Sequence, residues 1–479
     1  MLISDLGLPG LPGIDVSALS VDSRLVGPGT LFFALPGSNA HGARFADSAL
    51  AQGAVAVVTD REGAAMIEGR PVVVVADPRA ALAFAAALHA GGQPETMVAV
   101  TGTNGKTSVA AFTRQLWEAL GHRAVNIGTT GVEGGYVAPS AHTTPEPITL
   151  HRLLADMAAA GVTHGAMEAS SHGLDQRRLE AVRLAAAGFT NLSQDHLDYH
   201  GTMAAYREAK AGLFSRLLGD GVAVIDLDDD EGPRLAAECA ARGQEVIGTG
   251  RHADARLQLA GQRFDATGQE VLVRWQGRTH SARLDLVGGF QAGNALVAAG
   301  LCIGAGDDPE AVLAALPKLR GVRGRMEKAA QFEGGAAVFV DYAHTPDAIE
   351  TALAALRPHV MGRIVAIVGA GGDRDRTKRP LMGKAAQSAD AVIVTDDNPR
   401  SEDPAAIRAA VLEGAPAAVE VGDRAEAILR GAAMLEPGDA LLVMGKGHET
   451  GQTVGDVVHP FDDAEQASIA VAALEGRGA

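Results

Sequence analysis

Short apolar runs of four or five residues recur along this chain. Each is followed at once by glycine or small polar residues, and longer segments with apolar positions every three or four residues lie between them. The runs predict buried strands and the longer segments amphipathic helices, and their alternation predicts an α/β protein built on parallel sheets. Residues 31–34, 54–58 and 72–75 read as strands and 78–89 as a helix, giving a small α/β domain over about 1–96 that ends at the polar linker 91–95. Met97-Val98-Ala99-Val100 opens a second domain, followed by the loop Thr101-Gly102-Thr103-Asn104-Gly105-Lys106-Thr107. A helix is expected over 108–120, with Val109, Phe112, Leu116 and Leu120 on one face and Gly121 as its stop. Further strands are expected at 125–127, 165–167 and 222–225, and a helix opened by Pro145 runs to 160. Residues 254–286 alternate apolar and polar as hairpins do, an Ala-rich helix follows 288–294, and the basic, glycine-broken stretch 317–325 reads as a hinge. From about 323 to 479, strands at 337–340, 364–368, 391–394 and 440–444 separated by helices predict a doubly wound parallel sheet. Three domains are expected: 1–96, 97–322 and 323–479.

The chemistry gathers after the strands. Strand, glycine loop, Lys-Thr and helix is the layout of a phosphate cradle, in which backbone N–H groups and the helix N-terminus receive phosphate oxygens. Lys106 can reach the outer phosphates and the Thr107 hydroxyl can hold Mg²⁺. The usual P-loop has a glycine where this chain has Val100, leaving the shorter Gly102-x-x-Gly105-Lys106-Thr107; an ordinary glycine turn is the alternative. Glu168 ends the strand at 165–167, where a carboxylate is costly unless paired or metal-bound. It is a candidate Mg²⁺ ligand, with a helix cap or surface carboxylate as the alternative. Asp195, His196, Asp198 and His200 crowd one segment. No Cys pair or HExxH helix accompanies them, so ligation of Mg²⁺ or substrate by one His and one Asp fits better than zinc, against a solvated turn. By spacing alone Lys210 is an ordinary surface lysine. The four C-terminal strands each run into a polar loop: 341–346, 369–375, 396–400 and 445–449. Ligands bind at the carboxyl ends of such strands, so this edge is expected to be a binding face.

Composition narrows the function classes. The 479 residues suffice for about two to four domains with full cores. A net charge of −17 argues against nucleic-acid binding through general surface charge, so an anionic substrate must meet local Arg, Lys and backbone N–H clusters. Two cysteines, Cys239 and Cys302, fit a reducing compartment. Neither a signal-peptide pattern nor an apolar run of membrane-spanning length is found.

Together these motifs resemble the Mur ligase family of peptidoglycan synthesis. The carriers are Asp22-Ser23-Arg24, the 102–107 loop, His142-Thr143-Thr144-Pro145, Glu168-Ala169-Ser170-Ser171-His172-Gly173, residues 191–200, Ala209-Lys210, Gly324-Arg325-Met326-Glu327 and the four C-terminal loops. They span essentially the whole chain. The resemblance implies a small N-terminal α/β uridine-binding domain that holds a UDP-sugar and a central P-loop mononucleotide-binding α/β domain with added β-hairpins. A C-terminal Rossmann-like doubly wound domain for an amino acid completes the set. It implies Val21, Ser23, Ser38, Asn39 and Ala40 near the uridine and diphosphate, and Thr143, Thr144, Ser170, Gln176 and Arg178 on the muramoyl-dipeptide. Gly102, Thr103, Asn104, Gly105, Lys106, Thr107 and Ser108 match the ATP loop, and Asn294, Arg325, Asp341 and His344 the surroundings of the rest of the ATP. Lys106, Glu168, His196 and Lys210 are the implied catalytic set. Lys210 resembles the lysine that becomes N6-carboxylysine in this family, an anion able to hold Mg²⁺ beside Thr107 and Glu168. Asp397-Asn398-Pro399-Arg400 resembles the signature of the diaminopimelate-adding members, with Arg374, Gly445 and Glu449 beside it.

The implied reaction is ATP-driven, Mg²⁺-dependent amide formation in the cytoplasm, adding meso-2,6-diaminopimelate to UDP-N-acetylmuramoyl-L-alanyl-D-glutamate through an acyl phosphate. A monomer without nucleic-acid or membrane partners is expected. The chain departs from the family pattern at Ala370, Arg323, Gln291 and Asp226, where Cys, Pro, Asn and Asn are usual. A lysine-adding or folylpolyglutamate-type ligase is disfavoured by Arg400 and the full N-terminal domain. A P-loop ATPase or kinase leaves the 372–376, 397–400 and 445–449 loops without a purpose.

Overall fold

The computed structural model describes residues 1–11, 13–37 and 40–476. They divide into two compact units, Met1–Gly248 with Gly300–Asp308, and Thr249–Ala299 with Pro309–Ala479. Among the described residues no helix is long and apolar enough to cross a membrane.

The first unit carries two sheets. In the smaller, β1 (Ala18–Ser20), β2 (Thr30–Phe33), β3 (Ala54–Thr59) and β4 (Val72–Val74) lie parallel in that order. Leu31, Phe33, Ala56 and Val58 pack on one side with Leu82 and Ala85 of the helix Pro78–Ala90, while Phe32 and Val57 pack on the other with Ala46 and Ala49. A sheet covered on both faces reads as unbroken apolar runs, which is why β2, β3 and β4 stood out in the sequence while the three-residue β1 did not. In the larger sheet, β5 (Thr96–Thr101), β6 (Ala124–Gly128), β7 (Gly131–Gly134), β8 (His164–Glu168), β9 (Ala186–Phe189) and β10 (Val222–Asp226) take the order β10-β9-β5-β8-β6-β7. All pairs are parallel except β6 with β7. The order changes direction around β5, the strand that leads into the glycine loop, so the loop lies at a topological switch point.

β11 (Val246–Gly250) begins in the first unit and ends in the second. There, β12 (Leu257–Asp265), β13 (Gly268–Trp275) and β14 (Arg278–Leu284) form the expected antiparallel meander, with buried and exposed positions alternating along β13. The remaining strands are β15 (Glu327–Gln331), β16 (Ala337–Asp341), β17 (Ile364–Val368), β18 (Ala391–Val394), β19 (Val419–Glu420) and β20 (Ala440–Met444). They make a sheet of order β15-β16-β20-β17-β18-β19, antiparallel only at β15. Apolar side chains fill both of its faces. A separate hairpin, β21 (Gly451–Val454) with β22 (Val457–Pro460), follows β20.

Candidate active site

In the first unit the loop after β5 is held from both sides. Gly102 has φ +154°, and a Cβ there would lie 1.9 Å from Thr190 Oγ1; Gly105, at φ +87°, caps the helix Lys106–Ala119. Asn191 receives the loop: its carbonyl accepts from Thr103 N at 2.8 Å and its Oδ1 from Asn104 N at 2.9 Å. The Thr103 hydroxyl meets Ser193 O at 3.1 Å and Tyr206 O–H at 3.2 Å. Ser108 lies buried in the first helical turn. Two amines converge on one carbonyl. Lys106 Nζ donates to Gly102 O at 3.0 Å and to Thr103 O at 2.8 Å, and Lys210 Nζ donates to Gly102 O at 2.6 Å. Far from being an ordinary surface lysine, Lys210 is 3% exposed, and its amine lies 4.5 Å from the Tyr206 ring centroid. Burial first, and the Lys106 charge second, hold its pKa well below the usual lysine value.

Glu168 ends β8 beside Val100 of β5 and is 1% exposed. Its carboxylate accepts from Thr107 Oγ1 at 3.1 Å and from the Thr129 amide at 2.8 Å, so the buried strand-end carboxylate is hydrogen-bonded by neutral donors. Thr129 reaches Thr143 Oγ1 at 3.0 Å, and Thr144 Oγ1 links the Glu168 carbonyl (2.8 Å) to Ser170 Oγ (3.0 Å). Arg178 donates to Thr144 O at 2.7 Å and to Gln176 Oε1, and Gln176 donates to the Tyr199 hydroxyl at 3.1 Å. Thr143, Thr144, Ser170, Gln176 and Arg178 therefore form one connected group that joins the phosphate loop through Glu168. His196, at φ +52°, packs its ring 4.8 Å from that of His172, which also faces Tyr199 and His200. Burial lowers the pKa of His196, and burial with His196 and His200 lowers that of His172 to about 4.

The oxygen donors of Thr107 and Glu168 suit a hard divalent cation. The Thr130 hydroxyl, in the loop that caps Glu168, is buried without a hydrogen bond among the described residues. No group of three or more His, Cys, Asp or Glu that could hold a metal occurs among them. A cation here therefore needs the phosphates, water or a modified Lys210 as further ligands. In the smaller sheet's loops, Asp22 caps the short turn Ser23–Leu25 through Arg24 N at 2.9 Å, with Val21 and Ser23 half-buried beside it. Ala40 is half-buried, and Ser38 and Asn39 lie outside the described residues.

The second unit gathers two groups. Asp341 accepts from Met326 N at 2.7 Å and Ala343 N at 2.8 Å, and burial raises its pKa. The Arg325 guanidinium lies 4.6 Å from the Tyr342 ring, and His344 Nδ1 is 2.8 Å from Tyr342 O. Asn294 donates to Gln291 at 3.1 Å, and Gln291 in turn to Arg325 O at 3.4 Å, so Asn294, Arg325, Asp341 and His344 are neighbours through Gln291 and Tyr342. At the loops after β17, β18 and β20, Arg400 sits at φ +51° and donates to Gly372 O at 2.8 Å. Asn398 donates to Glu449 at 2.9 Å, and Gly445, at φ +118°, lies so close to Asp397 that a Cβ would be 2.4 Å from its carboxylate. Pro399 is buried and Arg374 is exposed on the neighbouring loop, bonded to Asp373 O. The sequence marked the segments that hold Asn191 and Lys446 but gave neither of these residues, nor Thr129, a role of its own. Each sits in a polar loop after a strand, and nothing short of the tertiary pairing singles them out.

The Mur ligase family catalytic domain matches residues 15–90, the Mur ligase middle domain 100–302, and the glutamate ligase domain of Mur ligases 324–447. The chain belongs to the Mur ligase family. It is 52% identical over 472 residues to the UDP-N-acetylmuramoyl-L-alanyl-D-glutamate–2,6-diaminopimelate ligase of Bradyrhizobium diazoefficiens, covering 97% of this chain and 96% of that one. It is 50% identical over 470 residues to the ligase of the same name from Caulobacter vibrioides, covering 96% of each. A solved structure of a ligase of that name superposes with a TM-score of 0.73 at 35% identity over 99% of both chains. The MurF ligase of Thermotoga maritima in complex with ADP shares the fold, with a TM-score of 0.63 at 18% identity over 98% of this chain and 100% of that one.

Proposed function

We propose that this chain is an ATP-dependent, ADP-forming ligase of the cytoplasm that adds meso-2,6-diaminopimelate to UDP-N-acetylmuramoyl-L-alanyl-D-glutamate, a step of peptidoglycan precursor synthesis. Residues 1–96 hold the UDP-sugar, with Val21, Ser23 and Ala40 nearest it; 97–322 bind ATP; 323–479 bind the amino acid. The observation that carries the catalytic assignment is the meeting of Lys106, Lys210, Thr107 and Glu168 around one glycine loop.

The substrate's D-glutamyl carboxylate attacks the γ-phosphorus, the bond between that phosphorus and the β–γ bridging oxygen breaks, and an acyl phosphate forms as ADP leaves. The amine of the amino acid then attacks the acyl carbon, and phosphate leaves. Two anions must approach in the first step, so charge neutralisation dominates the catalysis. Mg²⁺, held by Thr107, Glu168 and carboxylated Lys210, supplies part of that neutralisation when bound. Loop amides and Lys106 supply the rest. Carboxylation needs a neutral amine, and burial shifts Lys210 towards that form. Thr143, Thr144, Ser170, Gln176 and Arg178 orient the peptide carboxylate, and His196 neighbours it. Asn294, Arg325, Asp341 and His344 receive the remainder of the nucleotide.

Diaminopimelate differs from lysine by a second carboxylate, which suits the Arg400 fork. Arg374 serves the other acid end, Glu449 an ammonium, and Asp397, Asn398, Pro399 and Gly445 shape the site. Phosphate release measured with each substrate omitted in turn tests the whole scheme: release is expected only with all three present. Arg400→Ala is expected to lose turnover of diaminopimelate while still binding ATP; an unchanged kcat/KM for diaminopimelate would refute the acceptor assignment. With ¹³C-bicarbonate, a carbamate resonance is expected in the wild type and none in Lys210→Met.

A further inference from the structure

Lys446, in the turn after β20, lies inside the proposed acceptor site, yet none of the roles above uses it. Its side chain is 0% exposed. An ammonium there is costly unless paired, and its amine meets Asn398 Oδ1 at 3.1 Å and Glu449 Oε2 at 3.2 Å. The other two members complete the triangle, because Asn398 Nδ2 donates to the same Glu449 Oε2 at 2.9 Å. Thr453 N also donates to Asn398 Oδ1, at 2.9 Å. With Lys446 and Thr453 both donating to Oδ1, a flipped amide would set its NH₂ against two donors. The Asn398 orientation is therefore fixed. All donors to Glu449 converge on Oε2. Oε1 has no hydrogen bond among the described residues, and the side chain is 34% exposed.

The backbone here does not need the lysine. Gly445 and Gly447 take φ +118° and +54°, and a Cβ on Gly447 would lie 2.8 Å from Tyr342 Cβ, so the turn is fixed by close approach of main chain and neighbours. The buried Arg424 close by has its own counter-ion, Asp463, at 2.7 Å. The Lys446 charge is thus spent on Glu449 and Asn398.

We propose that Lys446 is a positioning residue of the acceptor site, whose amine turns Asn398 and Glu449 so that one Glu449 oxygen remains for the ammonium of the incoming amino acid. This rests on reading the 397–400 and 445–449 loops as the acceptor site. The test is the initial rate of amide formation with diaminopimelate varied at saturating ATP and UDP-peptide. The variants are Lys446→Met, Lys446→Gln, Glu449→Gln and the double variant Lys446→Met/Glu449→Gln. Both lysine variants are expected to raise KM for diaminopimelate about tenfold or more, with KM for ATP and UDP-peptide within about twofold. Because Lys446 acts through Glu449, the double variant is expected to have an acceptor KM no higher than that of Glu449→Gln alone. An unchanged acceptor KM, additive losses in the double variant, parallel losses for all three substrates, or failure of both lysine variants to fold would each overturn the role. A wild-type enzyme that forms no amide with diaminopimelate would instead refute the acceptor assignment beneath it.

Discussion

Single residues set the charge balance of this molecule. Lys106 faces the carbonyls of its own loop, the position from which an amine can neutralise a phosphate. Lys106→Ala is expected to lower kcat by roughly a hundredfold or more, on the order of 3 kcal/mol in the barrier, as for other lost electrostatic stabilisers. Phosphate release at saturating substrates would measure this, and an unaltered kcat would contradict it. Glu168 was legible in the sequence because a carboxylate at the end of an apolar strand has few cheap alternatives to pairing. Lys210 was not. Its helix, Met203–Gly212, looks solvent-facing in pattern, yet the amine is buried, with the Tyr206 ring and the Gly102 carbonyl against it. Here the family resemblance, and not the residue physics, marked the position.

At the scale of elements, apolar runs flagged the strands well, and the discrepancies have local causes. The helix after the phosphate loop begins at Lys106, two residues before the expected start, because Gly105 in the left-handed region already turns the chain into it. The helix expected from Pro145 begins at Pro147 instead. Proline disfavours the helical conformation of the residue before it, so Glu146 stays extended at ψ 157°. β1, β7, β9, β11, β15, β19, β21 and β22 were not expected from the sequence; among them β15, an edge strand with charged positions, and β19, of two residues, carry little pattern. Caps give this scale its test. Asp77 accepts from Arg79 N and Ala80 N at the start of Pro78–Ala90, so Asp77→Ala is expected to cost about 1 kcal/mol. The change would be read by denaturant titration.

For the whole molecule, family and fold were legible because many loops in a fixed order carried them, while pairings between distant segments were not. The burial of Asp226 makes one effect of the fold measurable. Burial, with the Asp228 and Asp229 charges adding to it, pushes its carboxyl up to about 7 from 3.8. The folded chain holds a proton that the unfolded chain releases, so stability falls as pH rises between about 4 and 7. Asp226→Asn is expected to raise Tm at pH 8 and leave it nearly unchanged at pH 4. Calorimetry at both pH values would check it, and an equal shift at both would contradict the assignment. Chain connectivity has a further effect. Asp307 accepts from the Trp117 indole at 2.8 Å and sits 3.0 Å from His122, and Cys302 lies under Thr113 O, all within the first unit. The chain therefore passes from one unit to the other after residues 248, 299 and 308. A gene fusion that exchanges acceptor specificity between related ligases at one junction would strand Trp117 and His122 with a foreign 300–308 segment. Recombinants that keep that short segment with its parental first unit are the ones that inherit a matched pair.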